Sequence, residues 1–197
     1  MKFDFFNEYI CHHLSMEEEL GSALRSRMSE VEFKKGSQIL FPGEVCKHIY
    51  FINEGFFRSY RYLEGIEETV GFSGTGQLLT SVKSFVLQTK GEEGIICEKS
   101  ASLLRISYYD WLALEDLSSD FLMLSNKILR ESLLKYDMER ALFRKATTVE
   151  KYLFLCSEFP GITNLISQKH IASYLGVSAP TMSGILKELL YKPKKTH

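Results

Sequence analysis

The chain of 197 residues has four cysteines, and no two of them lie close together. Cys11, Cys46, Cys97 and Cys156 contain no C-x-x-C pair. Zinc and iron–sulfur sites draw at least two ligands from one short stretch, so neither is expected. Long apolar runs are lacking too, and nothing approaches the ~18 residues of a membrane span. The opening Met1-Lys2-Phe3-Asp4-Phe5-Phe6-Asn7-Glu8 breaks with charges the apolar core a signal peptide needs. A soluble, cytoplasmic protein with no membrane partner is therefore expected, its thiols buried and reduced. No Ser/His/Asp or Cys/His spacing marks a nucleophile. A metal-dependent cupin enzyme would need H-x-H and a Glu on adjoining strands, and His48 stands alone in the β-rich region. No catalytic residue, metal ligand or enzymatic activity is expected.

What is present is ordinary in bulk. The composition is 45% hydrophobic, 25% charged and 13% aromatic, which excludes disorder and collagen-like repeats. The length allows one large domain or two small ones at roughly 100–200 residues each. Net charge is −1, but it is unevenly spread. From Lys145 onward seven lysines face three glutamates, a surplus of +4 that leaves −5 on the rest. Such asymmetry fits a C-terminal part that meets a polyanion, or simply a solvated lysine-rich terminus.

The chain divides by pattern. Phe6, Ile10 and Leu14 have helical spacing, so residues 1–30 read as one or two short helices. From Val31 short β-branched or aromatic runs take over, at 37–41, 48–52, 56–62, 68–72, 94–99 and 101–106. Lys35-Gly36, Pro42-Gly43-Glu44, Asn53-Glu54-Gly55 and Glu64-Gly65 punctuate them as turns, which predicts an antiparallel sandwich or barrel. Near Leu117 the pattern becomes helical, with Ser118 and Ser119 as caps and no Gly or Pro before Pro160. Leu124, Ile128, Leu129, Leu133, Tyr136, Met138 and Leu142 make one helix of about six turns, longer than the usual three or so. Its wide apolar face suits either an ordinary core helix or the seam of a symmetric dimer, with Leu124, Ile128, Leu129, Leu133 and Tyr136 as seam residues.

The most specific stretch runs from Ser167 to Lys187. It reads as two short helices around a tight turn. Ser167 caps the first helix, whose inner face is Ile171 and Leu175, with small Ala172 where helices must cross closely. Gly176 supplies the positive φ of the turn and Val177 plugs the corner. Ser178 caps the second helix, Pro180 lies in its first turn, and Met182 and Ile185 face inward. Every position fits a DNA-binding helix-turn-helix.

The order of β-roll, long helix and C-terminal helix-turn-helix resembles the Crp/Fnr family of bacterial transcription regulators. The likeness covers nearly the whole chain. It is carried by Phe33-Lys34-Lys35-Gly36, Pro42-Gly43-Glu44, Phe51-Ile52-Asn53-Glu54-Gly55 and Ile171-Ala172-Ser173-Tyr174-Leu175-Gly176-Val177-Ser178. The resemblance implies an α+β fold with an N-terminal antiparallel β-roll flanked by helices, a long dimerisation helix and a helix-turn-helix domain of winged-helix type. The domains would be an effector-sensing roll at 1–116, a dimerisation helix at 117–144 and a DNA-binding part at 145–197. The partners implied are double-stranded DNA, a second copy of the chain and RNA polymerase. The effector pocket implied by position is Phe72, Gln77, Leu78, Thr80, Ser81 and Lys83.

Two departures from the family pattern matter. Its cyclic-nucleotide binders carry a Gly-Glu pair for the ribose and an Arg for the cyclic phosphate. Here that region reads Gly76-Gln77-Leu78-Leu79-Thr80-Ser81-Val82-Lys83, and Gly91-Glu92-Glu93-Gly94 stands near the arginine position. Two carboxylates in a partly dry site would repel a phosphate, so cyclic AMP is not the expected ligand and no cofactor is assigned, unless Lys83 substitutes. The recognition helix likewise reads Ala179-Pro180-Thr181-Met182-Ser183-Gly184, and no arginine follows Arg144. Each bidentate arginine–guanine pair carries roughly 1–3 kcal/mol of base discrimination. The expected DNA contacts are instead Ser167, Gln168, Lys169, Ser178, Ala179, Thr181, Ser183 and Lys187, largely toward the backbone. Either the site is A·T-rich, read through methyl contact from Ala179 and Pro180, or base specificity is weak. The alternative function is a ligand-sensing roll whose helix-turn-helix has lost DNA recognition and mediates protein contacts. An Fnr-type cluster lacks its cysteines, haem ligation by His12, His13 or His48 is open but outweighed by the far commoner surface histidine, and the short tail after the helix leaves a minimal wing.

Overall fold

The computed structural model describes residues 18–191. Phe6, Ile10, Cys11, His12, His13 and Leu14, and Lys192, Lys194 and Lys195, lie outside the described residues. Helix α1 (Glu18–Arg27) leads into strands β1 (Ser29–Phe33), β2 (Gln38–Leu40), β3 (His48–Leu63), β4 (Ile66–Gly74) and β5 (Leu78–Leu79). Helix α2 (Val82–Leu87) and strand β6 (Glu93–Ser107) follow. The rest is helical: α3 (Tyr108–Leu117), α4 (Ser119–Lys145), α5 (Thr148–Glu158), α6 (Ile162–Leu165), α7 (Gln168–Leu175) and α8 (Ala179–Tyr191).

The strands pair antiparallel in the order β1-β6-β3-β4, with β2 against β6 and β5 against β3. The mixed fold, an antiparallel β-roll followed by helices, is the one expected. Two details differ. The runs at 48–52 and 56–62 are one strand, β3, and those at 94–99 and 101–106 are one strand, β6. Asn53-Glu54-Gly55 is therefore not a turn but a bulged bend, at which the β3–β6 register shifts. Gly55 explains it. Its φ is +135°, and a Cβ there would lie 2.3 Å from the Ala101 Cβ, so the two long strands approach where only glycine fits.

Period-two alternation distributes the strands' side chains among three cores. Tyr50, Ile52 and Phe57 of β3 meet Ile95, Cys97 and Leu103 of β6 inside the roll. Phe51, Leu104 and Ile106 point the other way, against Leu20 and Leu24 of α1, Leu114 of α3 and Phe121 and Leu124 of α4. Phe56 joins the third core, built from the C-terminal helices. The one fully enclosed charge on β3, Arg58, donates to Glu98 (2.7 Å) and Glu67 (2.8 Å) and approaches the Thr69 hydroxyl at 3.4 Å. Burying a guanidinium is tolerable only with such pairing.

Helix α3 has no counterpart in the sequence reading. Tyr108, Tyr109 and Trp111 look like strand formers, and Leu114 alone in the helix is fully buried. Its start is fixed locally, because the Ser107 hydroxyl accepts from the Asp110 amide at 3.1 Å. The long helix α4 has 27 residues and begins at the expected cap, Ser118, whose hydroxyl accepts from the Phe121 amide. It ends without glycine or proline. Thr147 and Glu150 form a reciprocal capping box that starts α5 and turns the chain. Leu124 is corrected as a seam residue: it is 1% exposed, packed in its own chain's core with Phe121. Ile128 is half-buried beside that core, whereas Leu129, Leu133 and Tyr136 are exposed. The helix thus has two apolar faces, and only one is covered by the described residues.

Candidate nucleic-acid interface

Helices α7 and α8 form the helix-turn-helix. Ile171, Ala172 and Leu175 of α7 and Met182 of α8 are buried together with Tyr152 and Leu155 of α5. Gly176 takes φ +71°, and the amide of Val177 reaches back to the carbonyl of Ala172 at 3.0 Å, which closes the helix end. Ser178 caps α8, its hydroxyl accepting from the Thr181 amide at 3.3 Å. Ser167 occupies the cap position of α7 without a side-chain cap bond. Backbone bonds from His170 and Ile171 to its carbonyl start that helix instead. A second correction concerns Ile185, which is half-buried and not part of the core cluster. Leu186 and Leu189 pack there with Met182, the i, i+4, i+7 face of α8.

The expected contact residues lie mostly on one open surface. Ser167, Gln168 and Lys169 at the start of α7, and Ser178, Ala179, Thr181 and Lys187 on or before α8, are all exposed. Ser183 is half-buried. The hydroxyls of Ser178 and Thr181 lie 2.8 Å apart and bond to each other, so a phosphate would compete with that pair. Lys169 and Lys187 take part in no ion pair among the described residues.

The other side of α7 is docked on the roll, which the sequence reading did not anticipate. The Thr69 amide donates to the Ser173 hydroxyl at 3.0 Å. His170 Nδ1 lies 3.8 Å from the Glu67 carboxylate that also pairs with Arg58. Tyr174 meets Phe72 edge-on at 5.1 Å and Phe143 at 5.3 Å, and Phe56 meets Phe159 at 5.3 Å. Burial and Arg58 hold His170 below the usual histidine value, and burial raises Tyr174 to about 12. A signal existed: His170 and Tyr174 stand four apart on a helix whose first apolar face was already assigned.

The expected effector residues do not converge on one cavity. Phe72, Gln77 and Leu78 line a cleft of about 530 Å³ between β4 and α4, together with Lys135, Tyr136 and Tyr174. Thr80 turns inward and donates to the His48 carbonyl at 3.1 Å. Ser81 is buried and donates to Glu93 at 2.7 Å, while Lys83 is exposed. Ser81 and Glu93 are therefore bonded to each other.

Residues 30–116 match the family model described as the cyclic nucleotide-binding domain. No curated protein matches the chain. Solved structures match over most of its length. FixK2 from Bradyrhizobium japonicum is 17% identical, with TM-score 0.68, over 83% of this chain and 84% of that one. The c-di-GMP responsive regulator CLP from Xanthomonas campestris is 15% identical, with TM-score 0.67, over 88% and 92%. A protein described as a Crp/Fnr-family transcriptional regulator from Eubacterium rectale is 17% identical, with TM-score 0.68, over 96% and 87%. The chain has the fold of the Crp/Fnr regulators, with a roll of the cyclic nucleotide-binding type and a helix-turn-helix at its C-terminal end. No helix among the described residues is long and apolar enough to cross a membrane.

Proposed function

We propose that the chain is a homodimeric, DNA-binding transcription regulator of Crp/Fnr type that answers to a small effector held by its roll. One observation carries the reading. The helix-turn-helix is fully packed on its inner side and docked on β4 by α7, yet the face with Gln168, Lys169, Ala179, Thr181 and Lys187 is open. A helical hairpin kept only for packing has no need of an open, hydroxyl- and lysine-bearing face beginning at a helix N-terminus.

Dimerisation belongs to the same proposal. Leu122, Leu129 and Tyr136 stand at seven-residue intervals on α4, with Leu133 between the last two, and all are exposed. That is the stripe of a two-helix seam, on the side opposite Leu124. In a dimer the two α8 helices would meet successive major grooves of a pseudo-palindromic site, and RNA polymerase is the further partner such a regulator would engage. Two of the similar solved structures, those from Xanthomonas campestris and Eubacterium rectale, are described as regulators, which supports the reading.

The test is fluorescence anisotropy of the full chain on a duplex selected from a random pool and on its scrambled counterpart. The proposal expects binding to both, with modest preference for the first. Failure to bind any duplex at low salt, with or without added small molecules, would favour the alternative in which this domain contacts protein. The missing arginines of α8 are what speak for that alternative.

A further inference from the structure

A second cavity, of about 520 Å³, opens beside the 43–48 segment and Lys90, and neither Ser81 nor Glu93 lines it. Its apolar wall is Ile39, Leu40 and Ile95. Its polar lining is Lys47, His48, Tyr50 and Lys90, with Glu44 as the carboxylate. The volume is that of a small-molecule site, and so is the mix of apolar wall and a few polar groups.

Of the charged groups, the two lysines are unspent. Lys47 and Lys90 are exposed and enter no ion pair among the described residues. Tyr50 is 7% exposed and lines the cavity, where its hydroxyl is free to donate to a ligand. His48 is held below the usual histidine value by burial and by Arg105 and Lys47, so at neutral pH it offers an uncharged ring. Glu44 is occupied in closing its own turn, where it accepts from the Phe41 amide at 3.0 Å.

The cavity's walls are tied down. Gly43 and Gly91 are joined by a 2.7 Å backbone bond, and the Gly91 amide returns to the Glu44 carbonyl at 3.0 Å. The Cys46 amide donates to Ser84 of α2 at 2.9 Å, and Gln88 donates to the Cys46 carbonyl at 3.2 Å. A ligand would enter a preformed site and pay little for ordering it.

We propose that this cavity binds a small organic anion, its apolar body against Ile39, Leu40 and Ile95 and its carboxylate between Lys47 and Lys90, with the Tyr50 hydroxyl as a further donor. As the seat of an effector the site rests on the function proposed above. As a binding site it does not, and the test reads binding alone.

The probe is sodium 4-phenylbutyrate, titrated into the ¹⁵N-labelled full chain without DNA and followed by amide chemical shifts. Saturating shifts are expected at Gly43, Glu44, His48, Lys90 and Gly91, with half-saturation below about 5 mM. The neutral 4-phenylbutyramide is expected to bind at least about tenfold more weakly, as is the acid to K47E/K90E. Both lysines are exposed, so the double variant keeps the fold, and its unshifted spectrum elsewhere checks this. No saturable shift by about 50 mM, shifts confined to other surfaces, or equal binding of acid and amide would overturn the site. Those results would leave the DNA reading standing, and a failure to bind DNA would leave this site standing.

Discussion

Single residues decide where the long strands bend and what the roll can hold. Gly55 has a left-side φ of +135° and no room for a Cβ against Ala101. Gly55→Ala should therefore lower stability by about 2 kcal/mol or more, through strain and overpacking together, and urea unfolding measures it. The Ser81–Glu93 pair fixes a carboxylate beside the start of α2. Calorimetry with cyclic AMP should give no dissociation constant below about 10 μM, since tighter binding would exceed roughly −7 kcal/mol at a site that repels phosphate. Glu92 and Glu93 were legible in sequence as the wrong charge at that place. Their neighbour Ser81 was legible only as a pocket candidate, because a bond between residues twelve apart depends on how α2 folds between them.

At the scale of elements, α4 and α7 each serve two partners, and sequence periodicity shows one face at a time. The helix-turn-helix was readable because glycine, small residue, caps and apolar positions all fall at fixed local offsets. Helix α3 and the docking of α7 on β4 were not readable, since Thr69–Ser173 and Phe72–Tyr174 are contacts between distant segments with no local signature. Leu124 and Leu129 look alike in sequence, and only tertiary packing separates the covered face from the open one. Exchanging Leu129 and Leu133 for Glu should convert a dimer into a folded monomer, read as mass by light scattering at tens of micromolar, with helical content kept. A wild-type monomer under those conditions would remove the seam. The docking of α7 also carries a pH dependence. His170 has its folded value lowered, so the unfolded chain binds the proton more readily. Its contribution is complete above the ordinary value of 6.5 and is lost as pH falls through the lower folded value. Stability measured by denaturant should fall below pH 6.5, and His170→Gln should flatten that fall. An identical pH profile in the variant would assign the dependence elsewhere.

For the whole molecule, the fold assembles a roll of the cyclic nucleotide-binding type, a helix with one apolar stripe left uncovered by the described residues and an open helix-turn-helix into a single chain. The central claim is that this open face meets DNA, and chiefly its phosphates, because α8 offers lysine and hydroxyls but no arginine. Such binding releases counterions, so affinity should fall steeply with salt. The most direct measurement is the slope of log affinity against log salt for the wild type, Lys169→Ala and Lys187→Ala on a selected and a scrambled duplex. Each variant should weaken both duplexes about equally and flatten the slope by about one unit per lost phosphate contact. Unchanged affinity and slope in both variants, or a preference for the selected duplex beyond about a thousandfold that those lysines do not affect, would contradict it.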